Sequence, residues 1–275
     1  MKHLILGSAG QIGYHLIKKL KEHGHEVITF DIVDTTYEDL RLHDNDILND
    51  KMRDCDIVHF LAFDIGGSFY MKKYQNTFNF ISNNIKIMNN VFDALKRHNK
   101  PFIFASSQMS NMQYSTYGIL KAIGEKYTQS LHGIVVKFWN VYGYESDSKK
   151  FHVITDFIEM AKHDKVIHIK TDGTESRQFL YGDDCSECLI MLSENYHSVD
   201  RTEQLHITSF EWSTILDVAE IVKEKFPEVC ILRSKNKDEI QKDKKNEPDL
   251  SILKYWTPKT SLRAGIHKII DEHYK

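Results

Sequence analysis

Tyr117, Lys121 and Ser107 are the residues of this chain whose types and spacing best support chemistry. Tyr117 and Lys121 are four residues apart, so on a helix they share one face. A phenol titrates near 10. An ammonium at roughly 4 Å from the phenolate would stabilise it by about 4 kcal/mol, which would lower the pKa of the phenol toward neutrality. Such a tyrosine can take a proton from an alcohol while the hydroxyl of Ser107 bonds the same oxygen. The three residues therefore predict reversible oxidation of an alcohol.

A glycine-rich turn near the start of the chain predicts a dinucleotide site. It follows an apolar run at residues 4–6 and precedes an amphipathic helical pattern, with the spacing GxxGxxG rather than the commoner GxGxxG. Without a Cβ the backbone can approach a pyrophosphate, which binds the N–H groups and the positive dipole end of the helix. We expect cofactor contacts from Gly7, Gly10, Gln11, Ile12 and Gly13.

Asp31 indicates which dinucleotide binds. It ends a predicted strand at 26–30, about 20 residues after the glycines, where a carboxylate accepts both hydroxyls of a ribose and repels a 2′-phosphate. No arginine lies near Asp31 to bind such a phosphate, so we expect NAD rather than NADP. The alternative is an aspartate that only caps a turn.

Composition excludes several classes of protein. With 275 residues, 41% hydrophobic and 27% charged, the chain reads as a soluble globular protein, and its net charge of −3 argues against nucleic-acid binding. No apolar run approaches the ~20 residues of a membrane span. We expect a cytoplasmic protein, because a strand begins almost at once and leaves no room for a signal peptide. Cys185 and Cys188 are interpreted as small core residues, and no metal site is expected.

Alternating strand and helix patterns predict an α/β fold, a Rossmann-like doubly wound parallel sheet with a smaller carboxy-terminal lobe. Further strands are predicted at 56–62, 101–106 and 133–138, and helices at 77–98, 117–131 and 183–194. Residues 1–143, joined by 174–200, would form the NAD-binding domain, and residues 144–173 and 201–275 the substrate-binding lobe. The charge-rich residues 234–250 are predicted to be a solvated loop.

The order of these motifs resembles the extended short-chain dehydrogenase/reductase family, in particular its NAD-dependent epimerases and dehydratases of nucleotide sugars. The glycine turn and the serine, tyrosine and lysine match that family, and VKFWNVYG at 136–143 and GTESRQFLYGDD at 173–184 resemble two further motifs. The resemblance implies cofactor contacts also from Asp46, Ile47, Leu61, Ala62, Asn84, Tyr117, Lys121 and Val141. It implies that Asn140 and Arg177 hold the diphosphate of a nucleoside-diphosphate sugar; the alternative for Arg177 is a surface ion pair with Glu175 or Asp183.

The sugar end of the site is expected at a second glycine pair and beside the catalytic serine. Gly66 and Gly67 resemble the glycine-rich loop of a related epimerase and would leave room for the sugar, with a simple tight turn as the alternative. Ser107 and Gln108 would contact the sugar itself. Dehydrating relatives carry an acid pair where Gln108 and Met109 stand, so dehydration is not expected. Relatives that epimerise C3 and C5 carry a cysteine where Met109 stands, so that reaction is not expected either.

The reaction that remains is oxidation and reduction at one sugar carbon, C4. We also expect the protein to be a homodimer. An epimerase is favoured. A 4-dehydrogenase or 4-ketoreductase that performs only the half-reaction would use the same residues, and a non-catalytic NAD-sensing protein is a remote alternative. The nucleotide, the sugar and the stereochemistry stay open.

Overall fold

Strands and helices alternate through the first half of the chain. The computed structural model describes residues 1–237 and 246–274. The elements of this half are β1 (Lys2–Leu6), α1 (Gln11–Glu22), β2 (Glu26–Phe30), α2 (Asp46–Asp54), β3 (Ile57–Phe60), α3 (Ser68–Tyr74), α4 (Phe78–His98), β4 (Phe102–Ser107), a 3₁₀ turn (Gln108–Asn111), α5 (Thr116–Ser130), β5 (Ile134–Phe138) and β6 (Asn140–Tyr142).

Shorter elements make up the second half. They are α6 (Val153–His163), β7 (Val166–Ile169), β8 (Ser176–Tyr181), α7 (Gly182–Glu194), β9 (Leu205–Ile207), β10 (Trp212–Thr214), α8 (Ile215–Lys223), β11 (Cys230–Arg233), a 3₁₀ turn (Ser251–Lys254) and α9 (Leu262–His273). Of the charge-rich segment predicted as a loop, residues 238–245 lie outside the described residues. Among the described helices, none has the length and apolar character needed to cross a membrane.

Six strands form one parallel sheet in the order β2-β1-β3-β4-β5-β9. Strands β3 and β4 are buried at every residue, as expected where helices cover both faces of a sheet. The chain runs from β1 outward to β2 and then crosses to β3 on the other side of β1, so the winding direction reverses there. The predicted doubly wound fold is confirmed, and ligands of such sheets bind beside the carboxyl ends of the strands at this reversal.

Each face of the sheet has its own apolar core. Helices α2, α4 and α5 pack on one face, where the Phe92 ring lies 5.4 Å from that of Phe60 and 5.6 Å from that of Phe104. Helices α1 and α7 pack on the other face. Cys185 and Cys188 lie in this second core with no exposed surface, which confirms their interpretation as small core residues.

The boundary between the two lobes differs from the predicted one. Strand β8 does not return to the large sheet but pairs with β6 and β10 in a smaller one. Helix α7 does pack on the large sheet. Strand β9 lies in the range predicted for the smaller lobe, but it is the sixth strand of the large sheet. At three residues, β9 is too short to produce a readable strand pattern. The smaller lobe has a core of its own, built from α6, α8, α9 and its two small sheets.

Candidate active site

A cleft of about 630 Å³ opens where the winding direction of the large sheet reverses. It extends from the glycine turn after β1, past the end of β4, to residues 145–152 of the smaller lobe. The residues predicted for the site that line it are Gly7, Gly10, Gln11, Ile12, Gly13, Asp31, Leu61, Ala62, Gly66, Gly67, Ser107, Gln108, Tyr117, Lys121, Asn140 and Val141. The structure thus brings residues from both halves of the chain to one place.

The glycine turn forms a close backbone cradle at one end of the cleft. Gly7 has φ +89°, and a Cβ there would lie 2.8 Å from the main-chain nitrogen of Ala62. A Cβ on Gly13 would overlap the main-chain oxygen of Gly7. Helix α1 begins directly after the turn and carries no acidic residue in its first turn, so the positive end of its dipole is not neutralised. The cradle therefore suits the pyrophosphate of a dinucleotide.

Asp31 lies against this cradle. Its carboxylate accepts hydrogen bonds from the main-chain nitrogens of Ala9 at 3.0 Å and Val33 at 3.1 Å. The sequence indicates no arginine near Asp31, but Arg41, from the loop that follows, lines the same cleft. Asp39 binds the Arg41 guanidinium through two nitrogens at 2.8 Å, and this contact holds the pKa of the Asp39 carboxyl below its usual range. The charge of Arg41 is therefore already met by a carboxylate.

Asp46 and Ile47 do not line the cleft. Asn45 caps α2 by accepting from the main-chain nitrogen of Leu48 at 3.1 Å, so the helix begins at Asp46 and its first two residues are exposed. Residues 38–41 line this end of the cleft instead. The adenine contact that the resemblance implies for Asp46 and Ile47 stays a prediction that the lining of the cleft does not support.

Asn84 and Arg177 also lie outside the cleft lining. Asn84 is fully buried in α4 and bonds the main-chain nitrogen of Asp64 at 2.7 Å and its main-chain oxygen at 3.2 Å. It therefore fixes the backbone of a cleft residue. Arg177 lies in β8, where its Nη1 donates to the main-chain oxygen of Ser176 at 2.7 Å.

The three predicted catalytic residues meet at the end of β4. Ser107 is the last residue of that strand, and Tyr117 and Lys121 lie on α5, which Ser115 caps at its first turn. The Tyr117 hydroxyl faces Ser107, whose hydroxyl favours the phenolate form of the tyrosine. Lys121 Nζ donates to the main-chain oxygen of Ala105 at 2.6 Å and lies 3.8 Å from the centroid of the Phe63 ring. All three side chains are buried at the cleft wall.

Burial controls the protonation of this group. It raises the pKa of the Tyr117 phenol, and the nearby Ser107 hydroxyl only partly opposes this shift. It lowers the pKa of Lys121 to about 7, against the opposing charge of Glu125. The spacing of Tyr117 and Lys121 predicts a full ammonium that lowers the tyrosine pKa. The protein by itself does the reverse, because both groups have lost their solvent.

The glycine pair at 66–67 makes room for protein. The main-chain nitrogen of Gly67 donates to the main-chain oxygen of Lys150 at 3.0 Å, and a Cβ on Gly67 would overlap the main-chain oxygen of Phe151. A Cβ on Gly66 would lie 3.2 Å from the Cα of Lys150. The two glycines line the cleft. Because they have no side chains, the backbone of residues 150–152 can pack directly against them. The predicted reason, space for a sugar, is not what the contacts indicate.

This docking brings charged residues to the cleft that the sequence did not indicate. The Asp64 carboxylate accepts from the Tyr70 hydroxyl at 2.6 Å and from Asn83 at 3.2 Å, and it pairs with Lys150 Nζ at 3.4 Å. Beside them, His152 Nδ1 lies 2.6 Å from a carboxylate oxygen of Glu145. These are ordinary polar residues of loops, and no spacing rule identifies them before the loops are placed.

Comparison with known proteins gives a consistent result. The model of the NAD dependent epimerase/dehydratase family matches residues 3–208. UDP-glucuronic acid decarboxylase 6 of Arabidopsis thaliana is 27% identical over 315 aligned residues, which cover 100% of this chain and 89% of that protein.

Solved structures agree in fold. An epimerase from Methanothermobacter thermautotrophicus superposes with a TM-score of 0.85 at 19% identity, covering 99% of this chain and 93% of the other. UDP-glucose 4-epimerase from Thermotoga maritima, solved with UDP-glucose, superposes with a TM-score of 0.81 at 21% identity, covering 98% of each chain.

Proposed function

Because the chain belongs to the NAD-dependent epimerase/dehydratase family, we propose that it is an epimerase that oxidises and re-reduces C4 of the sugar of a nucleoside-diphosphate sugar. The observation that carries this proposal is the meeting of Ser107, Tyr117 and Lys121 on the wall of a cleft that begins at the glycine cradle. The glycine turn and Asp31 would hold NAD, which would supply a two-electron acceptor able to return the electrons to the sugar.

The residues of the chain divide the proton chemistry between them. The phenol oxygen of Tyr117 takes the proton of the C4 hydroxyl and later gives it back. Ser107 bonds the same sugar oxygen and stabilises charge that develops on it. Lys121, with a pKa of about 7, can carry a proton at working pH, and its positive charge favours the phenolate form of Tyr117.

The turn after Ser107 supports epimerisation over dehydration. Gln108 and Met109 are both buried there, and neither an amide nor a thioether titrates near neutral pH. No acid therefore stands at this turn to protonate a departing hydroxyl. Asp64, a carboxyl elsewhere in the cleft, is already engaged by Tyr70, Asn83 and Lys150.

A substrate panel tests this proposal. UDP-, GDP-, dTDP- and CDP-sugars are screened by thermal shift, and each one that binds is incubated with the protein and examined by NMR for its C4 epimer. We expect at least one nucleotide sugar to stabilise the protein and to be converted. Stabilisation by a free sugar or a small alcohol, with none by the panel, would contradict the nucleotide-sugar assignment.

The half-reaction is tested by the fate of the cofactor. A 4-dehydrogenase or 4-ketoreductase uses the same three residues but must exchange NAD in each cycle, whereas an epimerase retains it. Turnover that continues after dialysis, without added NAD, supports the epimerase. Turnover that requires added cofactor in stoichiometric amount supports the half-reaction.

A second candidate is decarboxylation of a nucleotide-linked uronic acid, the reaction named for the Arabidopsis relative. The observation that favours it is Lys150, which lines the cleft and whose ammonium, now 3.4 Å from the Asp64 carboxylate, would have to turn to a substrate carboxylate. Oxidation at C4 would create a β-keto acid, from which the C5–C6 bond would break, CO₂ would leave and a proton would add at C5. Return of the hydride to C4 would then reduce the ketone and restore the oxidised cofactor. Release of CO₂ from UDP-glucuronic acid, measured in the same panel, distinguishes this reaction from epimerisation.

We also propose that the chain forms a homodimer through α4 and α5. Ile119, Ile123 and Tyr127 form a stripe along α5, and Ile85 continues it on α4; these four are exposed by 40–46%. The contact of the Tyr127 hydroxyl with Asn89 at 3.4 Å joins the two helices into one face. Analytical ultracentrifugation should give a dimer, and Ile123→Glu should shift it to monomer.

A further inference from the structure

Asn246 reaches the cleft from the carboxy-terminal part of the chain and binds Gln108 twice. Its Nδ2 donates to the main-chain oxygen of Gln108 at 2.9 Å and also to the side-chain Oε1 of the same residue. Gln108 is buried, with 4% of its surface exposed, and lines the cleft directly after Ser107. Among residues 1–237 and 246–274, none accepts a hydrogen bond from Gln108 Nε2. One end of this amide is therefore held by protein, and the other can donate to a ligand.

We propose that Asn246 is a positioning residue that fixes the Gln108 amide so that its Nε2 donates to an oxygen of the bound sugar. The inference rests on the proposed function, because it takes the sugar to lie beside Ser107. A glutamine side chain has three torsions, and ordering it when a ligand binds costs conformational entropy. An amide that is already held loses less freedom on binding, which improves affinity without a new contact.

The direction of the two bonds also selects what Gln108 presents to the ligand. Both hydrogen bonds from Asn246 go to oxygens of Gln108, so Oε1 faces Asn246 and Nε2 faces away from it. Without the Asn246 donor the amide could turn over and present its oxygen instead. Asn246 thus favours a hydrogen-bond donor beside Ser107, which suits a sugar hydroxyl or carbonyl oxygen.

The test compares Asn246→Ala with a matched control, Asn236→Ala. Asn236 is an exposed asparagine of the same part of the chain, and its side chain donates to the main-chain oxygen of Lys170 at 3.4 Å. For Asn246→Ala we expect KM for the nucleotide sugar to rise about fivefold, the scale of one net hydrogen bond, with the NAD affinity unchanged. In a Gln108→Ala background the same substitution should change KM by less than about twofold, because the amide that Asn246 positions is gone. The control should leave KM unchanged.

Two further readouts separate the possible failures. Equal effects of Asn246→Ala in both backgrounds would overturn the inference, since Asn246 would then act on the scaffold. The side-chain amide NMR signals of Gln108 need no substrate and should shift or broaden in Asn246→Ala and in the isosteric Asn246→Asp, which lacks the donors. Unchanged amide signals would also overturn it. A wild-type protein that binds no nucleotide sugar would instead overturn the proposed function and the sugar contact, while the NMR signals still decide whether Asn246 positions Gln108.

Discussion

Lys121 Nζ donates to the main-chain oxygen of Ala105 at 2.6 Å, and this bond joins α5 to the strand that ends in Ser107. The bond crosses from the helix that carries Tyr117 to the strand that carries the serine. It fixes the distance between the two groups that must share one sugar oxygen. Lys121 therefore has a positioning role in addition to its charge, and this role requires it to be buried.

Burial of Lys121 should make the stability of the protein depend on pH. Its pKa falls from 10.5 to about 7 in the folded protein, so between these values the unfolded chain binds one more proton than the folded one. The free energy of unfolding should then rise with pH from about 7 to 10.5, by at most about 1.4 kcal/mol per pH unit from this group. Below pH 7 both states are protonated, and the dependence ends. Urea unfolding of the wild type and of Lys121→Met at pH 6, 7, 8 and 9 measures it. A difference between the two proteins that stays constant from pH 7 to 9 would show that Lys121 is not perturbed.

Tyr117→Phe should abolish most of the turnover and leave cofactor binding intact. The Tyr117 ring packs edge-on against Phe63 at 5.6 Å between centroids, and a phenylalanine keeps this contact. Only the proton-transfer group is lost, for which about a 100-fold or larger fall in kcat is expected. Tyr127→Phe, on the exposed face of the same helix, is the matched control and should keep wild-type kcat. If Tyr117→Phe turns over the true substrate at the wild-type rate, another residue is the base.

Asp31 should determine the preference for NAD over NADP. Its carboxylate lies at the cradle and repels a 2′-phosphate, while Arg41, which lines the same end, is held by Asp39. Asp31→Ala should weaken NAD binding and strengthen NADP binding, because a phosphate could then attract Arg41. Dissociation constants for both cofactors, from calorimetry, measure the change. Asp34→Ala removes an exposed carboxylate of the same loop and should leave the ratio unchanged. Equal affinities for the two cofactors in the wild type would contradict this selection.

The features that could be predicted from the sequence are those encoded locally. The first strand, the glycines and the helix of the cradle are adjacent in the chain, and Tyr117 and Lys121 share a helix face by their spacing alone. The rest depends on how distant segments meet. The folding of the loop after Asp31 decides which of its residues border the cleft, and the structure places residues 38–41 there rather than Asp46 and Ile47. The pKa of Lys121 depends on a burial that no local pattern reveals, and Asn246 became relevant only once its contact with Gln108 was known.

Gly67→Ala should release residues 150–152 from the cleft. Gly67 has φ −61° and ψ 177°, a conformation that alanine adopts without strain, so the effect of the substitution is steric. The new Cβ would overlap the main-chain oxygen of Phe151, and the docked backbone must move away. We expect the free energy of unfolding to fall by about 1–3 kcal/mol, the usual cost of overpacking. Nucleotide-sugar binding should weaken as well, because Lys150 and His152 move with the segment, whereas NAD, held at the far end of the cleft, should bind as before. Chemical unfolding and the two binding constants measure these effects.

Ser68→Ala, at the next position and exposed, is the control for stability. A Gly67→Ala protein with wild-type stability and sugar affinity would show that the docking of this segment does not shape the substrate end of the cleft.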